Sequence, residues 1–173
     1  MTSNIIIRDI TKNEYQAIGE LMVKVYAELD GFPKPDEQPA YYQMLANIGQ
    51  LSEKPQTQVL VALSAEEQLL GGVVYFSDMA QYGSGGSATK EQNASGIRLL
   101  GVSPASRGLG VGRALTEYCI ELAKAKSHAQ VILHTTGAMK TAWSLYERMG
   151  FARSPDLDFM QQELPVFGFR LRM

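Results

Sequence analysis

Three glycines alternate with other residues in the segment Arg107-Gly108-Leu109-Gly110-Val111-Gly112. The apolar stretch Ile97–Val102 before it predicts a strand, and the apolar residues after it recur at helical spacing. Glycines remove side chains from such a connection, so its backbone N–H groups stay accessible, and the helix dipole adds positive charge there. A turn of this kind can hold a pyrophosphate. The alternative is a glycine-rich connection that only packs a helix close to a sheet.

The spacing of these glycines differs from the fingerprint of dinucleotide-binding folds. That fingerprint is G-x-G-x-x-G, whereas this chain reads G-x-G-x-G and has Arg113 where the last glycine of the fingerprint would stand. The acidic residue expected about 20 residues further on, at the end of a second strand, has no clear candidate. A Rossmann-type nicotinamide site is therefore not predicted.

Length and composition narrow the classes of protein further. The 173 residues predict a single domain over 1–173, and 16 Lys and Arg against 18 Asp and Glu give a net charge of −2. This balance argues against nonspecific binding to nucleic acid or to an anionic membrane.

The single Cys119 cannot form an internal disulfide, which favours the reducing cytoplasm. With only His128 and His134 beside it, no metal site is expected.

No part of the sequence is expected to serve as a membrane span or a signal peptide. The apolar runs fall short of the ~18–20 residues that cross a bilayer. The segment from Met1 to Asp9 is interrupted too soon by charge to be a signal peptide.

Periodicity elsewhere predicts alternating strands and helices. We expect a helix capped by Thr11 and running to about Glu28, and a C-terminal helix stopped by Gly150 in a left-handed conformation. Gly71-Gly72 suggests a bulge or a close backbone approach. The glycine- and serine-rich segment 83–96 is expected to be a flexible insertion that buries nothing. A phosphate-binding loop is the alternative, although no G-x-x-x-x-G-K-[ST] pattern fits it. The predicted strands are Asn4–Ile10, Val59–Leu63, Leu69–Phe76, Ile97–Val102, Val131–Thr135, Phe151–Arg153 and Val166–Arg172, and the other predicted helices are Pro39–Ile48, the one after the glycine turn and Thr141–Met149.

Two motifs resemble one known family. Val102-x-Pro104-x-x-Arg107-Gly108-x-Gly110-x-Gly112-x-x-Leu115 resembles the coenzyme A signature of the GNAT N-acetyltransferases. Ala142-x-x-Leu145-Tyr146-Glu147-Arg148-Met149-Gly150-Phe151 resembles the final helix and strand of the same family. The order of elements matches from Asn4 to Arg172. Met139 stands where many members have asparagine, and the glycine–serine insertion is longer than the usual hairpin.

The resemblance implies an α/β fold, with a mixed, mostly antiparallel sheet whose central strands splay apart and with helices on both faces. It places the pantetheine arm of acetyl-CoA between Ile97–Val102 and Val131–Thr135, with Leu100 and Val102 as main-chain partners. Backbone amides would surround the pyrophosphate, and the residues so placed are Arg107, Gly108, Gly110, Val111, Gly112 and Arg113.

Tyr146 matches the tyrosine that the family places beside the coenzyme sulfur. A phenol can donate a hydrogen bond or a proton to the departing thiolate, so the resemblance makes Tyr146 the predicted catalytic residue. Packing of its helix is the structural alternative. His134, near the end of its strand, is open to a role as a base or as a packed residue.

The resemblance implies an acetyl-CoA-dependent N-acetyltransferase that acts on the amine of a small molecule or peptide. The alternative is a non-catalytic acyl-CoA-binding sensor. The family places acceptor-binding groups in the regions that are here about 28–42 and 155–168. Phe32, Tyr41 and Tyr42 could wall this pocket or pack the second helix, and the acidic residues Asp156, Asp158 and Glu163 have no motif around them. The oligomeric state stays open, with a homodimer as one option.

Overall fold

A sheet of eight strands organises the computed structural model, which describes residues 4–173. The strand order is β1-β2-β3-β4-β5-β8-β6, and β7 pairs with β8 outside this path. All pairings are antiparallel except the central one between β4 and β5. The strands are Ile6–Asp9 (β1), Thr57–Leu63 (β2), Leu69–Phe76 (β3), Ala94–Val102 (β4), Gln130–Thr135 (β5), Ala152–Arg153 (β6), Phe159–Gln161 (β7) and Leu164–Arg172 (β8).

Helices cover both faces of the sheet and give it two separate cores. Tyr15–Ala27 (α1) and Pro39–Ala46 (α2) pack on one face, and Val111–Ala125 (α3) and Lys140–Arg148 (α4) pack on the other. The first core contains Ile18, Met22 and Leu45, and the second contains Leu115, Cys119 and Tyr146. The predicted α/β class and mostly antiparallel sheet are confirmed.

Local signals in the sequence set most helix ends. The Glu14 carboxylate accepts the backbone N–H of Thr11 at 2.9 Å, as a capping box requires, although the first turn is a 3-10 turn over Lys12–Glu14. Gly150 has a φ of +99° and follows α4, as predicted. The second helix ends at Ala46, two residues early, because the chain continues as a 3-10 turn over Ile48–Glu53.

The central strands separate halfway along their length. β4 and β5 pair only from Ala94 opposite Gln130 to Ile97 opposite Leu133, so a gap opens between them beyond those residues. At the same place the register with β3 shifts, and Leu99 adopts a left-handed φ of +63°. Such a bulge inserts an extra residue and turns the following side chains to the opposite face.

The bulge changes the faces on which the β4 side chains lie. Leu99 packs in the α1/α2 core, whereas Leu100 and Val102 pack against the α3/α4 core. Arg98 also lies on the α1/α2 side, because its guanidinium stands 5.8 Å from the ring centre of Tyr82 in that core. Two successive side chains, Arg98 and Leu99, therefore project to the face covered by α1 and α2.

The segment 83–96 departs from its prediction. It was expected to bury nothing, but Ala88 and Ala94 are buried, and Ala94 already begins β4. The ring of Phe159 lies against Gly85, close enough that a Cβ there would stand 2.9 Å from it. Ser87 also donates its hydroxyl to the carbonyl of Asp156 at 3.0 Å. The prediction that the segment buries nothing is wrong, because Phe159 packs against it from a strand far along the chain.

Candidate active site

A cavity of about 690 Å³ passes through the gap between β4 and β5. On one side of the sheet its wall includes Val111 and Tyr146, and on the other it includes Tyr26, Phe32 and Tyr41. These two sets belong to the two different cores, so the cavity connects the two faces of the sheet. Two molecules that enter from opposite faces can meet in such a gap.

The glycine turn lines one end of this cavity and presents free amides to it. Gly108 and Gly110 both have a φ of +82°, the left-handed region that glycine enters without steric cost. Ala114 is the first α3 residue whose N–H finds a backbone acceptor, the carbonyl of Gly110 at 3.0 Å. Within residues 4–173, five amides of this turn have no acceptor: those of Gly108, Gly110, Val111, Gly112 and Arg113.

Arg107 differs from the other residues predicted for this turn. Its N–H donates to the carbonyl of Pro104 at 3.4 Å, so its amide is not free, although its side chain lines the cavity. Arg113 keeps a free amide, and its guanidinium makes an exposed ion pair with Glu117 at 3.3 Å. Lys140 and Arg148 of α4 add two more cations to the lining. Free amides, a helix N-terminus and cations together fit a pyrophosphate.

The exposed edge of β4 follows from its pairing with β3. Ser103 donates to Leu70 at 2.8 Å, and hydrogen-bonded residues alternate along an antiparallel pair. The polar backbone groups of Val102 therefore face away from β3, toward the gap. The carbonyl of Leu100 already accepts the hydroxyl of Tyr26 at 3.0 Å. Of the two backbone groups of Leu100, only the N–H is therefore left to bind an extended ligand, beside the backbone groups of Val102.

Tyr146 lies in the wall of the cavity and has a free hydroxyl. The residue is only 4% exposed, and in the part of the chain that the structure describes its hydroxyl has no hydrogen-bond partner. The hydroxyl is not sealed from solvent either, in contrast to the enclosed, unpaired Oγ1 of Thr136. Burial raises the pKa of Tyr146 well above its ordinary value, so the group is a protonated donor at neutral pH.

His134 is held by both of its ring nitrogens. Nε2 donates to the carbonyl of Leu157 at 2.9 Å, so Nδ1 accepts the hydroxyl of Tyr82, also at 2.9 Å. Burial lowers the pKa of His134, which keeps the ring neutral at pH 7. This geometry favours a packing role for His134 over a role as a base.

The aromatic residues considered for the acceptor pocket separate into two groups. Phe32 and Tyr41 line the cavity, whereas Tyr42 packs in the α1/α2 core with its hydroxyl on the carbonyl of Pro33 at 2.6 Å. Phe159 and Gln161 of β7 complete this end.

The acidic candidates lie outside the cavity, and a basic residue lies inside it. Asp156 pairs with Arg170, and Asp158 pairs with Arg153 at 2.8 Å. Arg98 lines the cavity but was missed by the sequence analysis. The signal that could have found it is a charged residue inside the otherwise apolar strand Ile97–Val102.

Neither a metal centre nor a membrane helix is seen in the described chain. Residues 4–173 bring no three His, Cys, Asp or Glu side chains close enough to share a metal ion. Over the same range, none of the helices has the length and apolar character needed to span a bilayer.

Comparison with solved structures supports the fold. An acetyltransferase of the GNAT family from Staphylococcus aureus Mu50 superposes with a TM-score of 0.73 at 18% identity, covering 97% of this chain and 98% of that one. The PaiA N-acetyltransferase from Thermoplasma acidophilum, solved in complex with coenzyme A, gives a TM-score of 0.72 at 12% identity, covering 95% and 97%. At these identities the likeness concerns the fold alone.

Sequence comparison adds the family. The mycothiol acetyltransferase of Beutenbergia cavernae is 40% identical over 55 residues, which cover 32% of this chain and 18% of that protein. That of Streptosporangium roseum is 37% identical over 67 residues, covering 39% and 20%. The matches thus span about a fifth of the length of these relatives. The Acetyltransferase (GNAT) family profile matches residues 21–151, most of the chain. The protein therefore belongs to the GNAT acetyltransferase family.

Proposed function

We propose that the protein is an acetyl-CoA-dependent N-acetyltransferase that acts on the amine of a small molecule or peptide. The observation that carries this proposal is the single cavity that joins the free amides of the glycine turn, the hydroxyl of Tyr146 and an aromatic end on the other face of the sheet. A donor and an acceptor that approach from opposite faces of the sheet would meet in this gap, which brings the reacting groups together for direct acyl transfer.

The donor fits the α3/α4 side of the cavity. Amides of the glycine turn would hold the pyrophosphate, with Arg107 and Arg113 supplying positive charge beside it. The free edge of β4, through the polar backbone groups of Val102, would pair with an amide of the pantetheine arm as a strand pairs with a peptide. Acetyl-CoA supplies the activated acetyl group when it is bound there.

Tyr146 would act on the sulfur that leaves. Its hydroxyl is protonated and open to the cavity, and it has no partner among residues 4–173, so it can donate to a thiolate without first breaking a hydrogen bond to them. A general acid of this kind contributes about 10²- to 10⁴-fold in many enzymes. The N–H of Leu100, beside the bulge, would orient and polarise the acetyl carbonyl.

The amine must be neutral to react, and the cavity has few groups that could accept the proton that the amine loses. An amine with a pKa of ~10.4 pays about 4–5 kcal/mol to lose its proton at pH 7. No Asp or Glu of residues 4–173 lines the cavity, and both nitrogens of His134 are engaged. We therefore propose that water in the open gap accepts this proton.

The known relatives support the chemistry and leave the acceptor open. The curated relatives are named mycothiol acetyltransferases, and a solved neighbour from Brucella melitensis is a ribosomal-protein-alanine N-acetyltransferase, at a TM-score of 0.67 and 18% identity. Their names describe different acceptors, so the choice of acceptor has to come from this chain's own cavity.

Thermal unfolding with acetyl-CoA tests the donor site. A ligand that binds only the folded protein at 100 times its Kd adds about 2.7 kcal/mol of stability, which for this size of protein is about 5–10 °C in Tm. We expect acetyl-CoA and CoA to give such a shift and adenosine to give a much smaller one. An unchanged Tm at millimolar acetyl-CoA would refute the proposed function. A non-catalytic sensor would give the same shift but release no CoA in the presence of an amine.

A further inference from the structure

Arg98 places a positive charge in the cavity without a carboxylate to balance it. Its Nη1 donates to the carbonyl of Tyr82 at 3.0 Å, and no carboxylate of residues 4–173 lies within 4.0 Å of its nitrogens. Two arginines on the far side of β5 differ in this respect. Arg153 of β6 and Arg170 of β8 each hold a carboxylate at 2.8 Å. A partly buried guanidinium without an anion gives up hydration and gains little in return.

The bulge in β4 assigns this charge to the acceptor end of the cavity. Because Arg98 and Leu99 both project to the α1/α2 face, the guanidinium lies among aromatic residues of that face and away from the glycine turn. Tyr41 lines the cavity together with Arg98, and burial raises the pKa of its hydroxyl to about 12, so this group is protonated at neutral pH. The hydroxyl of Tyr41 has no partner within residues 4–173, so it is a second free donor there.

The charges that line the whole cavity argue against a polycationic acceptor. Among residues 4–173 the charged residues that line it are all basic, and they are Arg98, Arg107, Arg113, Lys140 and Arg148. Four of them lie with the glycine turn and α4, where the donor's phosphates need them, and Arg98 is separate from this group. Without an acidic group, the acceptor end has nothing to attract a polyamine, and Arg98 repels one.

We propose that the acceptor is an amine that also carries a carboxylate, an amino acid or a close analogue, and that Arg98 pairs with this carboxylate. The inference rests on the proposed acetyltransferase function and specifies its substrate class. A guanidinium binds a carboxylate through two parallel N–H donors, so it would fix the orientation of the acceptor as well as its position. The same positive charge favours the neutral form of the nearby amine, which is the reactive form.

Amines that differ only in the carboxylate test this inference. L-alanine, L-leucine and L-phenylalanine are each compared with their primary amide and their decarboxylated amine, and CoA release is measured at saturating acetyl-CoA. We expect the best free acid to exceed its two matched analogues by at least about tenfold in kcat/KM. In Arg98→Met this ratio should fall to within about twofold of one, and Arg98→Lys should retain part of it. Arg172→Met, an exposed change outside the cavity, is the control and should keep the full ratio.

A binding measurement covers the case in which none of these amines is turned over. The CoA-saturated protein is titrated with the N-acetyl derivatives of the same three acids and with their uncharged amides. Carboxylate-dependent binding that Arg98→Met removes supports the inference, and binding that ignores the carboxylate overturns it. Equal or better turnover of the uncharged analogues also overturns it.

The shift in Tm caused by acetyl-CoA is recorded for each variant. It distinguishes failure of the proposed acetyltransferase function from failure of the proposed role of Arg98. A wild-type protein without the shift contradicts the proposed function itself. A normal shift combined with indifference to the carboxylate contradicts only the role of Arg98. A variant that keeps the shift has also kept its fold and its donor site.

Discussion

Replacing Tyr146 with phenylalanine is expected to lower kcat by about 10- to 1000-fold while the affinity for acetyl-CoA changes by less than about threefold. The upper part of this range follows from the usual contribution of a general acid. The lower part allows for a thiolate that leaves tolerably well unaided, since a free thiol has a pKa near ~8.5. The ring that packs near Phe151 stays in place, and the hydroxyl has no partner to lose within residues 4–173, so Tm should move by less than about 2 °C. Steady-state kinetics and thermal unfolding of the same preparation measure both effects.

Tyr75→Phe is the matched control for this prediction. Tyr75 lies in the same α3/α4 core and is fully buried, but its hydroxyl contacts Ser95 at 2.7 Å and does not line the cavity. Removing that hydrogen bond should cost about 0.5–1.5 kcal/mol of stability and leave turnover per folded molecule normal. If Tyr146→Phe behaved like Tyr75→Phe, Tyr146 would be a packing residue.

The second large effect is expected at the glycine turn, where Gly110→Asp should weaken acetyl-CoA binding by at least about 100-fold. Gly110 is the N-cap residue before α3 and adopts the left-handed conformation, between amides that have no acceptor in the described chain. An aspartate there would set a negative charge about 4–5 Å from the pyrophosphate, and such a repulsion is on the order of 3 kcal/mol at an effective dielectric constant near 20. Isothermal titration calorimetry with acetyl-CoA measures the loss.

Gly110→Asn separates charge from shape at the same position. Asparagine has nearly the size of aspartate and tolerates the left-handed region comparably, but it carries no charge. We expect it to weaken binding by about tenfold, through crowding of the turn alone. Equal losses for Asn and Asp would show that no anion sits beside Gly110, and unchanged binding in both would place the donor elsewhere.

The sequence predicted those parts of the structure that depend on local patterns. β3, α4 and the turn before α3 lie within about two residues of their expected positions, because alternation, helical spacing and glycine act over short distances. Gly71 was expected to allow a close backbone approach, and a Cβ there would stand 2.6 Å from the carbonyl of Gly101. The residues predicted to bind the coenzyme and Tyr146 line one cavity.

Features that arise from distant contacts were not predicted. β7 has only three residues, and it forms because β8 supplies its partner. The left-handed Leu99 has no local sequence signal, since leucine disfavours that conformation and the surrounding sheet imposes it. The position of Arg98 on the acceptor face depends on that bulge. The packing of Phe159 against Gly85 likewise depends on a strand far along the chain.

Acetyl transfer itself is tested most directly by measuring both products of one incubation. The protein, acetyl-CoA and a panel of amines that includes the amino acids above are mixed, free CoA is measured as thiol, and the amines are analysed by mass spectrometry. The proposed function predicts equal amounts of free CoA and of one N-acetylated amine, with both reduced in Tyr146→Phe. Binding of acetyl-CoA with no N-acetylated product, and with thiol release no faster than in the absence of amine, would contradict it.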